Sequence, residues 1–161
     1  MRYVNDIDFF YILENHGSST CYIYIEGGMY ALWPTHIFEN PIEGLLNGLI
    51  AMLKGADQIE FKWHDEPGEY DWTIRRNPDQ HHKVAVSITN CCRLQYEDKP
   101  QLETLCFEVK LKLFCICVLK QMEKIRDLMT EKSFKEHRRG QFPYIVFEEF
   151  KQVYEKVVLN N

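Results

Sequence analysis

The sequence Ile-Glu-Phe-Lys-Trp-His-Asp-Glu-Pro-Gly-Glu-Tyr-Asp-Trp-Thr-Ile-Arg occupies residues 59–75 and sets the architecture of this chain. On both sides of the central Pro67-Gly68, aromatic and aliphatic residues alternate with charged or polar ones. A period of two is typical of a β-strand with one face buried and the other in water. Pro followed by Gly is typical of a turn. The stretch therefore predicts an antiparallel β-hairpin with a turn at Glu66-Pro67-Gly68-Glu69.

The apolar residues of the two strands must share one face, and this requirement restricts the pairing register. The register that we predict also brings opposite or complementary charges together on the outer face. It contains two pairs on each face: Trp63–Trp72 and Phe61–Ile74 inside, His64–Asp71 and Glu60–Arg75 outside.

Short alternating stretches separated by Gly-rich turns precede the hairpin and predict three strands between Phe9 and Trp33. A helix is predicted to follow, because Asn40 can cap it, Pro41 suits its first position and Gly55 suits its end. Ile42 and the leucines after it lie on one face at helical spacing. The helix therefore separates the early strands from the hairpin.

After the hairpin, alternation predicts strands over residues 83–89 and 104–111. The period then changes, which predicts helices over residues 112–130, 134–139 and from Pro143 onward. Strands early and helices late are typical of the α+β class. We expect one domain over residues 1–161, with a mostly antiparallel sheet of about six to seven strands packed against about three helices.

Composition agrees with an ordinary globular protein, because 45% of the residues are hydrophobic and 27% are charged. No apolar run approaches the roughly 20 residues that a membrane-spanning helix needs, so we expect no membrane association. The start of the chain, Met1 to Asp8, carries two acids and lacks the pattern of a signal peptide. We therefore expect a cytoplasmic protein.

The six cysteines are expected to be free thiols, since a chain of 161 residues can form a full hydrophobic core without disulfides. Cys91-Cys92 and Cys115-x-Cys117 lack the two-residue spacer of common zinc sites. His81 and His82 are adjacent, so on a strand they point to opposite faces. We predict no metal and no cofactor.

Charge is unevenly distributed along the chain, whose formal net charge is −5. Residues 57–71 contain six acids and one base, and no groove of interleaved basic and aromatic residues is evident. This pattern argues against nucleic-acid binding and favours a basic protein partner. The predicted partner-binding residues lie on the hairpin: Glu60, His64, Asp65, Glu66, Glu69 and Asp71.

No catalytic sequence motif is present, so we predict no catalytic residue and favour a binding module over an enzyme. The alternative is a small-ligand-binding protein or an enzyme that uses a pocket near the Glu66-Pro67-Gly68-Glu69 hairpin, with His64 and the nearby carboxylates involved. A pocket lined by convergent polar groups would favour this alternative, and a flat acidic face would favour the binding module. The sequence leaves the oligomeric state open.

Three stretches in this order resemble a group of small, uncharacterised bacterial cytosolic proteins: Phe61 to Trp72 with its Glu-Pro-Gly-Glu-Tyr element, Phe107 to Leu113, and Phe134 to His137 followed by Phe142-Pro143. The resemblance covers roughly residues 42–150, and the group is similar in size and charge to immunity proteins of bacterial toxin systems. It implies a non-enzymatic protein that neutralises a cognate toxin.

Overall fold

The computed structural model describes residues 1–66, 68–92, 101–138 and 142–159. Within these residues, seven strands form two antiparallel sheets. The first sheet has the order β1 (Ile7–Leu13), β2 (Ser19–Ile25), β3 (Gly28–Leu32). The second has the order β4 (Gln58–Asp65), β5 (Gly68–Arg76), β6 (Lys83–Cys92), β7 (Gln101–Lys110). The helices are α1 (Pro41–Leu53), α2 (Leu111–Leu128), α3 (Lys132–His137) and α4 (Tyr144–Leu159).

The α+β prediction is confirmed, and the strands are divided between two sheets. Helix α1 lies between the two sheets in the sequence and begins as predicted. The Asn40 side chain accepts hydrogen bonds from the backbone N–H groups of Ile42 and Glu43 at 3.1 and 3.3 Å. Gly55 follows the helix with φ of +105°, a conformation that glycine adopts without strain.

The hairpin of β4 and β5 forms, but the predicted register is wrong by two residues. Phe61 pairs with Trp72, and Trp63 pairs with Tyr70. A shift of two residues leaves every side chain on its predicted face, so the alternation does not distinguish the two registers. The predicted turn includes Pro67, which lies outside the described residues; the last described pair is Asp65 with Gly68.

The observed register places Lys62 directly opposite Asp71, with Glu69 beside it. The Lys62 Nζ atom lies 3.0 Å from an Asp71 oxygen and 2.8 Å from a Glu69 oxygen. In the predicted register, Lys62 would not lie opposite Asp71 with Glu69 beside it. Because cross-strand pairs of opposite charge are favourable, this contact is consistent with the observed alignment.

The inner faces of the two sheets meet in a core rich in aromatic side chains. Trp63 and Trp72 are both fully buried, and the rings of Tyr11 and Trp63 meet edge to face with centroids 6.0 Å apart. The indole N–H of Trp63 donates to the Pro41 carbonyl at 2.9 Å, which ties the second sheet to the start of α1. The core therefore joins both sheets and α1 into one packed unit.

The remaining helices cover the sheets in ways that the sequence only partly indicates. Helix α2 lies along the open edge of β1, where the Gln121 side-chain amide donates to the Tyr11 carbonyl at 2.8 Å. Helix α4 buries Phe147 and Phe150 against α1 and α2. The predicted end of the short helix at Arg139-Gly140 lies outside the described residues. No helix in the described part of the chain is long and apolar enough to cross a membrane.

Candidate functional site

The end of the β4–β5 hairpin borders a shallow depression of about 270 Å³. Its lining consists of Phe38, His64, Asp65, Glu66, Gly68, Glu69 and Cys91. Four of the six predicted partner-binding residues therefore meet at one place. The other two, Glu60 and Asp71, lie further along the hairpin, where Glu60 accepts a hydrogen bond from the Gln58 side chain at 2.6 Å.

Asp65 differs from the other acids of the hairpin because it lies on the side of the sheet that faces the core. It shares this side with Trp63 and Tyr70, and the Tyr70 hydroxyl donates to its carboxylate at 3.0 Å. Partial burial raises the pKa of Asp65, although the hydrogen bond from Tyr70 acts in the opposite direction. Asp65 therefore contributes one edge of the depression but does not continue the outer acidic face.

Lys62 neutralises part of that outer face. Its ammonium group contacts both Glu69 and Asp71, and these two hydrogen bonds raise the pKa of Lys62 well above its usual value. The hairpin is therefore less negative than a count of its acids suggests. Of the three acids that line the depression, Glu66 is the one that is exposed, whereas Asp65 and Glu69 are partly buried.

The opposite wall of the depression comes from the segment between β3 and α1. The backbone N–H of Thr35 donates to the His64 carbonyl at 2.8 Å and holds this segment beside β4. The Phe38 ring contacts the His64 ring edge to face, with centroids 5.5 Å apart. Glu39 lies 3.3 Å from the His64 imidazole. The depression therefore combines carboxylates with an aromatic residue, Phe38, that is 66% exposed.

Sequence reasoning missed Phe38, Glu39 and Cys91 as members of this site. The available signal was weak: two large apolar residues, Ile37 and Phe38, stand between Pro34 and the helix cap, where no strand or helix could bury them. Nothing in the sequence placed them beside a hairpin that begins some twenty residues later.

Cys91 is the one thiol in the lining, and its environment opposes reactivity. Its sulfur lies 3.5 Å from an Asp71 oxygen. Desolvation and the neighbouring Asp71 carboxylate raise the pKa of this thiol, so it stays protonated at neutral pH. A protonated thiol is a poor nucleophile. The arrangement around Cys91 therefore does not support covalent catalysis.

A serine–histidine contact exists elsewhere, in the interior beneath the first sheet. The Nε2 atom of His36 lies 2.7 Å from the Ser19 hydroxyl and 3.0 Å from the Tyr11 hydroxyl. Ser19 is only 2% exposed, and burial lowers the pKa of His36 to about 4. Since no substrate can reach Ser19 and the imidazole is neutral, we interpret this contact as structural.

No group of His, Cys, Asp and Glu side chains suited to holding a metal ion occurs among the described residues. Comparison of the chain with protein-family models, curated proteins and solved structures finds no significant match. The geometry of the hairpin and its surroundings is therefore the basis for any functional proposal.

Proposed function

We propose that this protein is a non-enzymatic, cytoplasmic binding module that holds a basic segment of a partner protein at the hairpin depression. A bacterial toxin is the class of partner that the sequence resemblance implies. The observation that carries the proposal is that the exposed residues Glu66 and Phe38 line one concave surface, together with Glu69, which Lys62 contacts.

A lysine or arginine side chain matches these features. Its charged end would form a charge-assisted hydrogen bond with the exposed carboxylate of Glu66, because Glu69 is already paired with Lys62. The face of the Phe38 ring attracts a cation within about 6 Å of its centroid. Recognition of a basic side chain by a carboxylate and an aromatic ring together is more selective than recognition by charge alone.

The neighbouring Ile37 supplies an apolar contact beside the charged depression. It is 63% exposed, so a partner can cover it and Phe38 together. Interfaces commonly concentrate their energy in a few aromatic or apolar anchors surrounded by polar groups. Ile37 and Phe38 are suitable anchors, and the acids of the hairpin are a suitable polar surround.

The alternative, a small-ligand site or an enzyme, has less support. The depression is shallow, and its volume of about 270 Å³ is at the lower end of the range for ligand pockets, about 300–1,000 Å³. Its thiol is protonated, and its histidine ring already contacts Glu39. A base and a nucleophile within hydrogen-bonding reach of each other are the usual requirement for covalent catalysis.

A peptide titration tests the proposal directly. Amide-capped hexa-arginine is added to ¹⁵N-labelled protein, and backbone amide shifts are followed by NMR. We expect the largest shift changes at residues 37–39, 64–66, 68 and 69, and we expect them to weaken as salt shortens the screening length toward about 8 Å. The Glu66→Lys, Glu69→Lys double variant should lose these changes.

The matched control reverses two exposed acids away from the depression, Asp79→Lys and Glu155→Lys, and gives the same net charge. We expect this variant to bind the peptide much as the wild type does. Equal weakening in both variants would mean that only net charge matters, and the proposed site would be wrong. Peptide-induced shifts centred elsewhere would also contradict it and would leave the ligand-pocket alternative ahead.

A further inference from the structure

Strand β3 lies at an open edge of the first sheet, and its backbone is the feature that the proposed function does not use. The turn between β2 and β3 has Glu26 and Gly27 at φ of 46° and 90°, and it closes on the pair Ile25–Gly28. In such a two-residue hairpin the closing pair exchanges hydrogen bonds, and the pattern then alternates along the strand. The N–H and C=O groups of Met29 and Ala31 therefore point away from β2.

The other sheet edges in the described part of the chain are covered or charged. Gln121 bonds the outer edge of β1. Residues Arg2 and Val4 exchange backbone hydrogen bonds of 2.8 Å with Glu108 at the edge of β7. At the edge of β4, the backbone N–H of Thr35 donates to the His64 carbonyl, and the rest of this edge carries charged side chains. Covering and charging an edge are the usual ways to prevent unwanted strand pairing.

Strand β3 has neither form of protection from the described residues. No charged residue occurs from Gly27 to Thr35, and no proline occurs before Pro34. Large apolar side chains at this strand are exposed instead: Met29 is 56% and Trp33 is 55% accessible. A neutral, apolar edge with unpaired backbone groups is the surface that an extended peptide pairs with when it adds a strand to a sheet.

A groove of about 360 Å³ runs beside this edge. One wall is β3 itself, and the opposite wall is formed by Tyr70, Ile88 and Leu105 from the second sheet, with Asn90 at the same side. At the end of β3, the backbone N–H of Trp33 donates to the Tyr70 hydroxyl at 3.3 Å, which joins the two walls. The groove shares no lining residue with the hairpin depression.

We propose that β3 is a strand-addition site that takes an extended, uncharged segment of a partner protein with alternating apolar side chains. The backbone N–H and C=O groups of Met29 and Ala31 form hydrogen bonds with the backbone of the segment. Every second side chain of the segment then enters the groove toward Ile88 and Leu105. An uncharged segment complements the groove, since every described residue that lines it is uncharged.

The shape of the groove favours a single extended chain over a second copy of this protein. Residues of the second sheet, Tyr70, Ile88 and Leu105, line the groove opposite β3, so the space beside this strand has a wall on its far side. A second copy that paired through its own β3 would bring its own second sheet to the same side. A single extended segment fits beside β3 more readily than the strand of a second folded copy.

The test uses a displayed library of random 12-residue peptides, selected on the immobilised full chain. We expect enrichment of peptides with an alternating apolar pattern and an uncharged centre. One enriched peptide is then synthesised, and amide hydrogen exchange is measured residue by residue. Exchange at Met29 and Ala31 should slow on binding, whereas Tyr30 and Leu32, already bonded to β2, should change little.

Two variants separate backbone pairing from side-chain contact. Ala31→Pro removes the N–H group that points away from β2. It should weaken binding of the peptide roughly tenfold, which is about the effect of one lost backbone hydrogen bond. Ala31→Val keeps the N–H and should bind normally. Three results would overturn the proposal: no enriched peptide, protection centred away from β3, or a dimer by light scattering whose dissociation frees the Met29 and Ala31 amides.

Discussion

Trp63 and Trp72 are not a directly opposed pair, yet their rings are in contact, with centroids 4.7 Å apart and planes tilted by 53°. The contact is diagonal, because Trp63 pairs with Tyr70 and Trp72 pairs with Phe61. Their indole N–H groups differ. Trp63 donates to the Pro41 carbonyl at 2.9 Å, whereas the buried N–H of Trp72 has no partner among the described residues.

This difference predicts unequal effects of the same substitution. Trp63→Phe should cost about 0.5–1.5 kcal/mol more unfolding free energy than Trp72→Phe, because it removes the buried hydrogen bond from the indole N–H to the Pro41 carbonyl. Trp72→Ala should cost about 3–5 kcal/mol by opening a cavity. Urea denaturation midpoints measure these effects, with Thr73→Ala on the opposite face as the control. Equal midpoints for the two phenylalanine variants would contradict the hydrogen-bond argument.

Two glycines of α1 face the second sheet at different distances and predict opposite outcomes. A Cβ at Gly44 would lie 3.8 Å from the Phe61 ring, an ordinary contact, so Gly44→Ala should stabilise the protein by about 0.5–1 kcal/mol through helix propensity. A Cβ at Gly48 would lie 2.6 Å from the end of Ile59 and 3.4 Å from the Phe61 ring.

Gly48→Ala should therefore be less stable than Gly44→Ala, because the end of the Ile59 side chain must move to make room. Thermal unfolding followed by circular dichroism compares the two variants under one condition. If Gly48→Ala were the more stable variant, the close packing of α1 on β4 would be incorrect.

The buried imidazole of His36 predicts that stability falls in mild acid. Its pKa is about 4 in the folded protein, against 6.5 for an ordinary histidine, because burial disfavours the charged form. The unfolded chain therefore takes up a proton first as pH falls from 6.5 to 4. The free energy of unfolding should decrease over that interval by about 2–3 kcal/mol from this group.

Urea unfolding at several pH values measures the decrease. His36→Gln should show a smaller slope between pH 6.5 and 5, whereas His82→Gln, an exposed control, should follow the wild type. A wild-type slope that His36→Gln leaves unchanged would assign the acid sensitivity to other groups.

The cysteines predict a clear order of labelling. Cys106 is exposed, whereas Cys21 and Cys115 are buried and their thiol pKa values are raised by desolvation. A thiol reagent at pH 8 should label Cys106 quickly and should reach Cys21 and Cys115 only after unfolding. Peptide mass mapping identifies the labelled sites. Fast labelling of Cys115 in folded protein would contradict its burial, and fewer than six labelled thiols after unfolding without reductant would contradict the prediction of free thiols.

Much of the fold was predictable because the relevant signals are local. Alternation assigned Trp63, Trp72 and Val86 to the buried face, and the Asn40 cap located the start of α1. The register of the hairpin was not predictable, because a shift of two residues leaves the faces unchanged. The division into two sheets also has no local signal, since it depends on packing between segments that are far apart in the sequence.

The candidate site was predictable only in part, for the same reason. Glu66 and Glu69 stand out in the sequence as charge on a turn, but Phe38 and Cys91 reach the depression from distant parts of the chain. Lys62 was visible as the one base among the acids, yet only the register shows that it contacts both Glu69 and Asp71. Convergence of distant residues is a property of the packed chain.

The contact of α2 with β1 has a consequence for the order in which the chain can fold. Gln121 bonds the Tyr11 carbonyl, and the Cys117 thiol lies 3.5 Å from the Ile7 carbonyl, each across 110 positions of the sequence. During synthesis, the first strands leave the ribosome long before this helix exists. Their outer edge then stays open to other chains, and non-local closure of this kind slows folding and exposes intermediates to aggregation. A nascent chain released before residue 121 would therefore lack the segment that completes its N-terminal half.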